Sequence, residues 1–264
     1  MRSTPGTTWG VASATTIGSF HVREHLPNQD SVATWAAEDG SAAVAVVADG
    51  HGHPAHFRSD VGSSLAAELA LEALQRAVAA GDPDPVAAGR EVVEAWRAAV
   101  LEHVESHPLR SDEARRGPLV PYGSTLVATA ATATRLVVVQ VGDGDAVVVR
   151  ASGAAEQPLP DDPDLDGVHT SSLCQPDPLA SLRTAVIDLD PDDHDPVALA
   201  YVCTDGYGKA RVDARTWWRA AARDLVTAAA QAGLDGVRRR LPADVAEPAR
   251  VGGDDTTIAV LARA

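Results

Sequence analysis

Three short apolar runs, each joined to an acidic motif, constrain this chain most. Residues 42–48 run into Asp49-Gly50-His51-Gly52, residues 197–203 run into Thr204-Asp205-Gly206, and Gly253-Asp254-Asp255 opens residues 256–261. A continuous apolar run of this length, bounded by turn residues, reads as a buried strand. Each acidic motif therefore stands at a strand end. A fourth motif, Asn28-Gln29-Asp30, lies near the first strands. Carboxylates held on a rigid scaffold and interrupted by glycine suit a hard cation, because Mg²⁺ and Mn²⁺ take oxygen ligands and keep several waters. The pattern points to a metal-dependent hydrolase.

The remaining elements alternate in blocks. Residues 9–17, 31–37 and 42–48 read as strands. Two helical patterns follow. Residues 59–80 place Val61, Leu65, Leu69 and Leu74 near a 3.6-residue period, and residues 86–106 do the same with Val92, Trp96, Val100 and Val104. Strands return at 125–132, 135–141 and 146–150, then at 183–189 and 197–203. A last helix over 213–231 precedes the closing strand at 256–262. This order predicts a sheet-rich core with paired helices on its outside, in one domain over residues 1–264. Residues 157–182 are rich in Pro, Asp and Ser and show little periodicity. A loop this long is usually functional or mobile, so it reads equally as a flap beside a cleft and as a solvated surface loop.

Composition narrows the function. The net charge of −15 argues against nucleic acid or an anionic membrane as partner. No run approaches the roughly 18 apolar residues of a membrane span. The first residues lack the apolar stretch of a signal peptide, so a cytoplasmic protein is the expectation. Two cysteines, Cys174 and Cys203, indicate neither a disulfide framework nor a structural zinc site. The nine histidines form no His-Glu-x-x-His pair. Lys209 is the sole lysine among many arginines, and alanine is abundant, a composition suggesting a GC-rich bacterial genome.

Asp49 and its neighbours illustrate what the site chemistry needs. A strand would deliver the Asp49 carboxylate rigidly, and Gly50, without a Cβ, would let its carbonyl approach a cation. Together they can bridge two metals about 3.5–4 Å apart, as two-metal phosphoryl transfer requires. His51 beside them can protonate a leaving alkoxide near neutral pH. Taken singly, each motif also fits an ordinary turn or helix cap. Their weight lies in combination and order.

In that combination the chain resembles the type-2C, metal-dependent Ser/Thr protein phosphatases, in a divergent bacterial branch. Asn28-Gln29-Asp30, Asp49-Gly50-His51-Gly52, Tyr122-Gly123-Ser124-Thr125-Leu126, Val141-Gly142-Asp143, Thr204-Asp205-Gly206 and Asp254-Asp255-Thr256-Thr257 follow the family's order from about Gly10 to Leu261. The resemblance implies an α+β fold. It is a four-layer αββα sandwich with two central, mainly antiparallel sheets flanked by helix pairs. It also implies two Mn²⁺ or Mg²⁺ ions in a cleft at one edge. Asp49 resembles the carboxylate bridging both ions, Gly50 the carbonyl ligand, and Asp205 and Asp254 ligands of the first ion. Asp30 resembles the acid that holds metal-bound water, Asp143 the acid that helps bind a third ion, and His51 the general acid. The implied nucleophile is a metal-activated hydroxide. Phosphoproteins, including those of a bacterial Ser/Thr kinase, are the implied substrates of a monomeric enzyme.

Three positions depart from the family pattern. His25 stands where an arginine usually grips the phosphate, leaving Arg23 and Arg58 as candidates for that task. Gln29 stands where Glu is common. Asp255 stands where Asn is common, which would place a further carboxylate near the metals. These departures leave room for a catalytically silent relative that binds a phosphoprotein or regulatory partner. Asp143-Gly144-Asp145 also fits the Asp-x-Asp motif of haloacid-dehalogenase-like phosphatases, with Thr204, Lys209 and Asp254-Asp255 following in order. That reading leaves the first 140 residues without a role.

Overall fold

In the computed structural model, which describes residues 8–160, 170–210 and 216–263, the apolar runs become the middle strands of two stacked sheets. The chain runs β1 (Trp9–Thr16), α1 (Ser19–Glu24), β2 (Asp30–Ala36), β3 (Ala43–Asp49), α2 (Ser59–Ala79) and α3 (Pro85–Ser106). It continues through β4 (Leu126–Ala131), β5 (Arg135–Val141), β6 (Asp145–Arg150), β7 (Ala155–Glu156), β8 (Arg183–Asp188) and β9 (Val197–Cys203). α4 (Asp205–Lys209), α5 (Trp217–Gly252) and β10 (Thr256–Arg263) complete it. One sheet has the order β1-β10-β9-β6-β7 and the other β2-β3-β4-β5-β8. Every pairing in both is antiparallel.

β3 shows why an unbroken apolar run was needed. Ala43, Ala45 and Val47 pack between the sheets with Val148, Val202 and Leu261. Val44, Val46 and Ala48 pack on the opposite face with Ala66, Leu74 and Trp96 of α2 and α3. A strand covered on both faces has no polar side to alternate with. The outer face of the other sheet, with Val147, Tyr201 and Val260, is covered by α5. The layers are therefore helix, sheet, sheet, helix, the sandwich that the sequence implied.

The sequence reading ends the last helix at residue 231 and expects no further helix, whereas helical structure resumes and reaches Gly252. (Residues 213–215 of the expected helix lie outside the described residues.) Ala232 and Gly233 have non-helical backbone angles, Gly233 with φ 58, a conformation glycine adopts without steric cost. On a straight helix Asp224 and Arg240 would be about 24 Å apart, yet Arg240 donates to Asp224 at 2.7 Å. The two halves fold back on each other as a helix pair. Pro242 and Pro248 lie within the second half. Each interior proline costs about 3 kcal/mol, and fully burying Val237, Leu241 and Val245, at about 1.5–3 kcal/mol each, offsets a cost of that size, so the helix persists.

The described part of residues 157–182 is anchored. Leu173 is buried among α2 and α3 residues, its N–H donates to the Ser124 carbonyl at 2.9 Å, and Arg97 donates to the Gln175 carbonyl. The part of the expected flap at residues 161–169 lies outside the described residues. Among the described residues no helix is long and apolar enough to cross a membrane.

Candidate metal centre and active site

Antiparallel pairing brings starts and ends of neighbouring strands to one edge of the sandwich. Asp49, last in β3, pairs in register with Asp30, first in β2. Asp145, first in β6, pairs with Cys203, last in β9. Asp143 lies in the β5–β6 turn, Asp205 begins α4, and Asp254 lies between α5 and β10. Asp49, Asp143, Asp145, Asp205 and Asp254 line one cleft of about 960 Å³, which His51 also lines.

The backbone under these side chains is tightly tied. The Gly50 N–H donates to the Gln29 carbonyl at 3.1 Å, and the Thr125 N–H donates to the Asp49 carbonyl at 2.8 Å. A Cβ at Gly50 would lie 2.6 Å from the Gln29 carbonyl oxygen and 2.7 Å from that of Ser59. Only glycine fits there. Asp30 Oδ2 accepts hydrogen bonds from the hydroxyls of Thr204 at 2.8 Å and Thr257 at 2.7 Å. Gln29 is buried, and its Oε1 has no hydrogen-bond partner among the described residues.

Asp255 corrects an expectation. Its carboxylate does not join the other acids in the cleft. It accepts from the Gly18 N–H at 2.7 Å, the Gln29 N–H at 2.6 Å and His21 Nδ1 at 2.7 Å. A carboxylate can satisfy three donors at once, so Asp255 ties the β1–α1 and α1–β2 junctions to the start of β10. His21, only 3% exposed, drew no attention in sequence. A lone histidine in an amphipathic stretch gives no sign of a buried partner more than two hundred residues away.

Crowding of the acids shows in their protonation. Burial, then Asp205 and Asp30, holds the Asp49 carboxyl well above its ordinary value. Burial likewise raises Asp30, against hydrogen bonds from Thr257 and Thr204. Burial and Asp143 push Asp205 up to about 7, with the Lys209 ammonium opposing. Burial and Asp143 push Asp145 to about 6, with Gln157 opposing, and burial raises Asp254. Burial also lowers the His51 imidazole to about 4, with His56 adding to the fall and Asp143 resisting it. His51 is thus a neutral ring at neutral pH in the free protein, not the half-protonated acid its unperturbed value suggests.

The expected phosphate-gripping cations do not line the cleft. Arg23 is exposed and pairs with Glu24. His25 caps α1 in the left-handed conformation, φ 57. Arg58 donates to the Tyr122 hydroxyl at 2.6 Å and the His107 carbonyl at 2.7 Å. The cation that does line the cleft is Lys209, alone among the described lysines and arginines. Its Nζ contacts Asp205 Oδ2 and lies 3.9 Å from Asp143 Oδ2. The signal for it was present in sequence, an Asp and a Lys four apart, the spacing that makes neighbours on a helix. It was obscured by the Gly-Tyr-Gly between them, which reads as a turn.

The donor set fits a hard divalent cation. It consists of carboxylates and a peptide carbonyl, the oxygen ligands that Mg²⁺ and Mn²⁺ take. Asp205 is only 9% exposed, and its Oδ1 has no hydrogen-bond partner among the described residues, a costly state unless a cation completes it. Among the described residues no three His, Cys, Asp or Glu side chains already stand as a ligand set. Lys209 holds one oxygen of Asp205. Asp145, the second acid of the Asp-x-Asp alternative, accepts from Gln157 Nε2 at 2.6 Å.

The family model described as Protein phosphatase 2C matches residues 17–242. Among solved structures, PppA, described as a key regulatory component of the type VI secretion system (T6SS) in Pseudomonas aeruginosa, superposes with a TM-score of 0.61 at 20% identity, over 98% of this chain and 99% of that one. The Mycobacterium tuberculosis serine/threonine phosphatase PstP gives 0.55 at 21% identity, over 96% and 98%. The catalytic domain of PstP in complex with two manganese ions gives 0.60 at 20% identity, over 97% and 98%. No curated protein sequence matches the chain.

Proposed function

The chain belongs to the protein phosphatase 2C family, and we propose that it is a metal-dependent phosphatase acting on phosphoserine and phosphothreonine of proteins. One observation carries the reading: acids from separate strand ends converge on one cleft, with Asp205 Oδ1 buried and without a partner among the described residues. Asp49, the Gly50 carbonyl, Asp205 and Asp254 would hold two Mn²⁺ or Mg²⁺ ions, with Asp143 beside them. The structure of PstP with two manganese ions supports the count. The ions, when bound, would polarise the phosphoryl oxygens and lower the pKa of water at the site.

The chain's own residues do the rest. Thr204 and Thr257 fix one oxygen of Asp30, which leaves the other to orient water. Gln29 Oε1, buried without a partner among the described residues, can accept from the same water. A phosphate dianion bound beside His51 favours the protonated ring, and His51 then delivers a proton to the leaving Ser or Thr oxygen. The substrates are phosphoproteins, those of a Ser/Thr kinase among them, and the enzyme acts as a monomeric single catalytic domain.

The test is hydrolysis of a phosphothreonine peptide by purified protein in Mn²⁺, in Mg²⁺ and in chelator. Release of phosphate with metal, and none with chelator, is the expected result. Metal binding without turnover would instead favour the silent relative, a reading supported by the lack of a described arginine in the cleft.

A further inference from the structure

Lys209 is the one lysine in a chain with many arginines, and it stands where a compact charge is useful. An ammonium is a point charge with three rotatable donors, whereas a guanidinium is a planar fork. α4 begins at Asp205 and ends at Lys209, so the i,i+4 spacing turns the lysine back over the aspartate. Its Nζ contacts Asp205 Oδ2 and faces Asp143 Oδ2 at 3.9 Å. The other oxygen of Asp205 is buried and has no partner among the described residues. The two oxygens of one carboxylate are thus divided, Oδ2 to the ammonium and Oδ1 free for an ion. The Lys209 side chain is 62% exposed, so the ammonium caps this side of the cleft and does not fill its floor.

We propose that the Lys209 ammonium is a built-in cation holding the position between Asp205 and Asp143, so that this protein takes two divalent ions and excludes a third. The inference rests on the two-ion reading above. A divalent ion placed between the same two carboxylates would meet the ammonium at contact range, where like charges repel strongly in a partly desolvated site. A tethered charge also needs no ion from solution, so occupancy of this position does not vary with metal supply.

Counting bound Mn²⁺ on the full chain tests it, by titration calorimetry together with the electron paramagnetic resonance signal of the free ion. The wild type should bind two ions. Lys209→Asp, which replaces the ammonium with a ligand, should bind three, the third more weakly, and Lys209→Gln checks a variant of similar side-chain length should the first fold poorly. Three ions on the wild type would overturn the proposal, as would two on both folded variants. Zero or one ion on the wild type would overturn the two-ion reading itself, a result distinct from either.

Discussion

The acids on the floor of the cleft sit at, or within two residues of, the ends and starts of paired strands, whereas the cations expected at its rim sit on long side chains outside the sheets. Asp49 on the floor is bracketed by Thr125 and the Gly50 pairing, and Asp30, its strand neighbour behind the cleft lining, accepts two hydroxyls. At the rim, Arg23 points to solvent beside Glu24 and Arg58 is spent on Tyr122 and His107. Where a side chain is short and its backbone is in a sheet, sequence position nearly determines spatial position. Where it is long and leaves a connecting segment, tertiary partners decide. The contrast predicts that floor and rim will respond differently to substitution.

Breaking the tie beneath the floor should cost most in stability. Asp255→Ala leaves three buried donors without an acceptor, one of them on His21, and each unsatisfied buried group costs about 1–3 kcal/mol, so the loss is about 3 kcal/mol or more. Chemical denaturation should show a loss of that size, and a loss below about 0.5 kcal/mol, the range of ordinary surface changes, would mean that Asp255 does not anchor the junction.

A smaller effect comes from titrating the floor. The folded-state values of Asp205, about 7, and Asp145, about 6, lie above those of an unfolded chain. The metal-free folded protein therefore holds protons that the unfolded chain has released, and its stability must fall as pH rises through those values. His51, lowered to about 4, acts in the opposite sense, but above about pH 6.5, the unperturbed histidine value, only about 0.4 kcal/mol of its contribution remains to be gained. Between pH 6.5 and 8 the melting temperature of metal-free protein should decline, and Mg²⁺ or Mn²⁺ should flatten the decline. A rising melting temperature without metal would contradict the crowded floor.

Least affected should be the rim. Arg23→Ala should leave peptide hydrolysis at the wild-type rate, and Arg58→Ala should act through the Tyr122 network on stability, not on turnover. A large rise in KM with either would return that arginine to phosphate binding and sharpen the contrast in the other direction.

The same contrast explains what was legible in the sequence. β3, β9 and β10 were readable because both faces are buried and the run is unbroken. Their acidic neighbours followed from strand polarity. The second half of α5 was not readable, since Pro242 and Pro248 argue locally against a helix that burial of Val237, Leu241 and Val245 sustains. Asp255 looked like one more acid in an acidic motif, because nothing local reveals that Gly18, His21 and Gln29 converge on it. Lys209 was visible as a lone lysine, but its place in the cleft depends on a five-residue helix concealed by two glycines.

The most direct test of the account is the turnover of a phosphothreonine peptide by Asp49→Asn at saturating Mn²⁺, with circular dichroism and melting confirming the fold. The expected rate is no higher than that of wild-type protein in chelator. Wild-type turnover in a folded Asp49→Asn protein would contradict it.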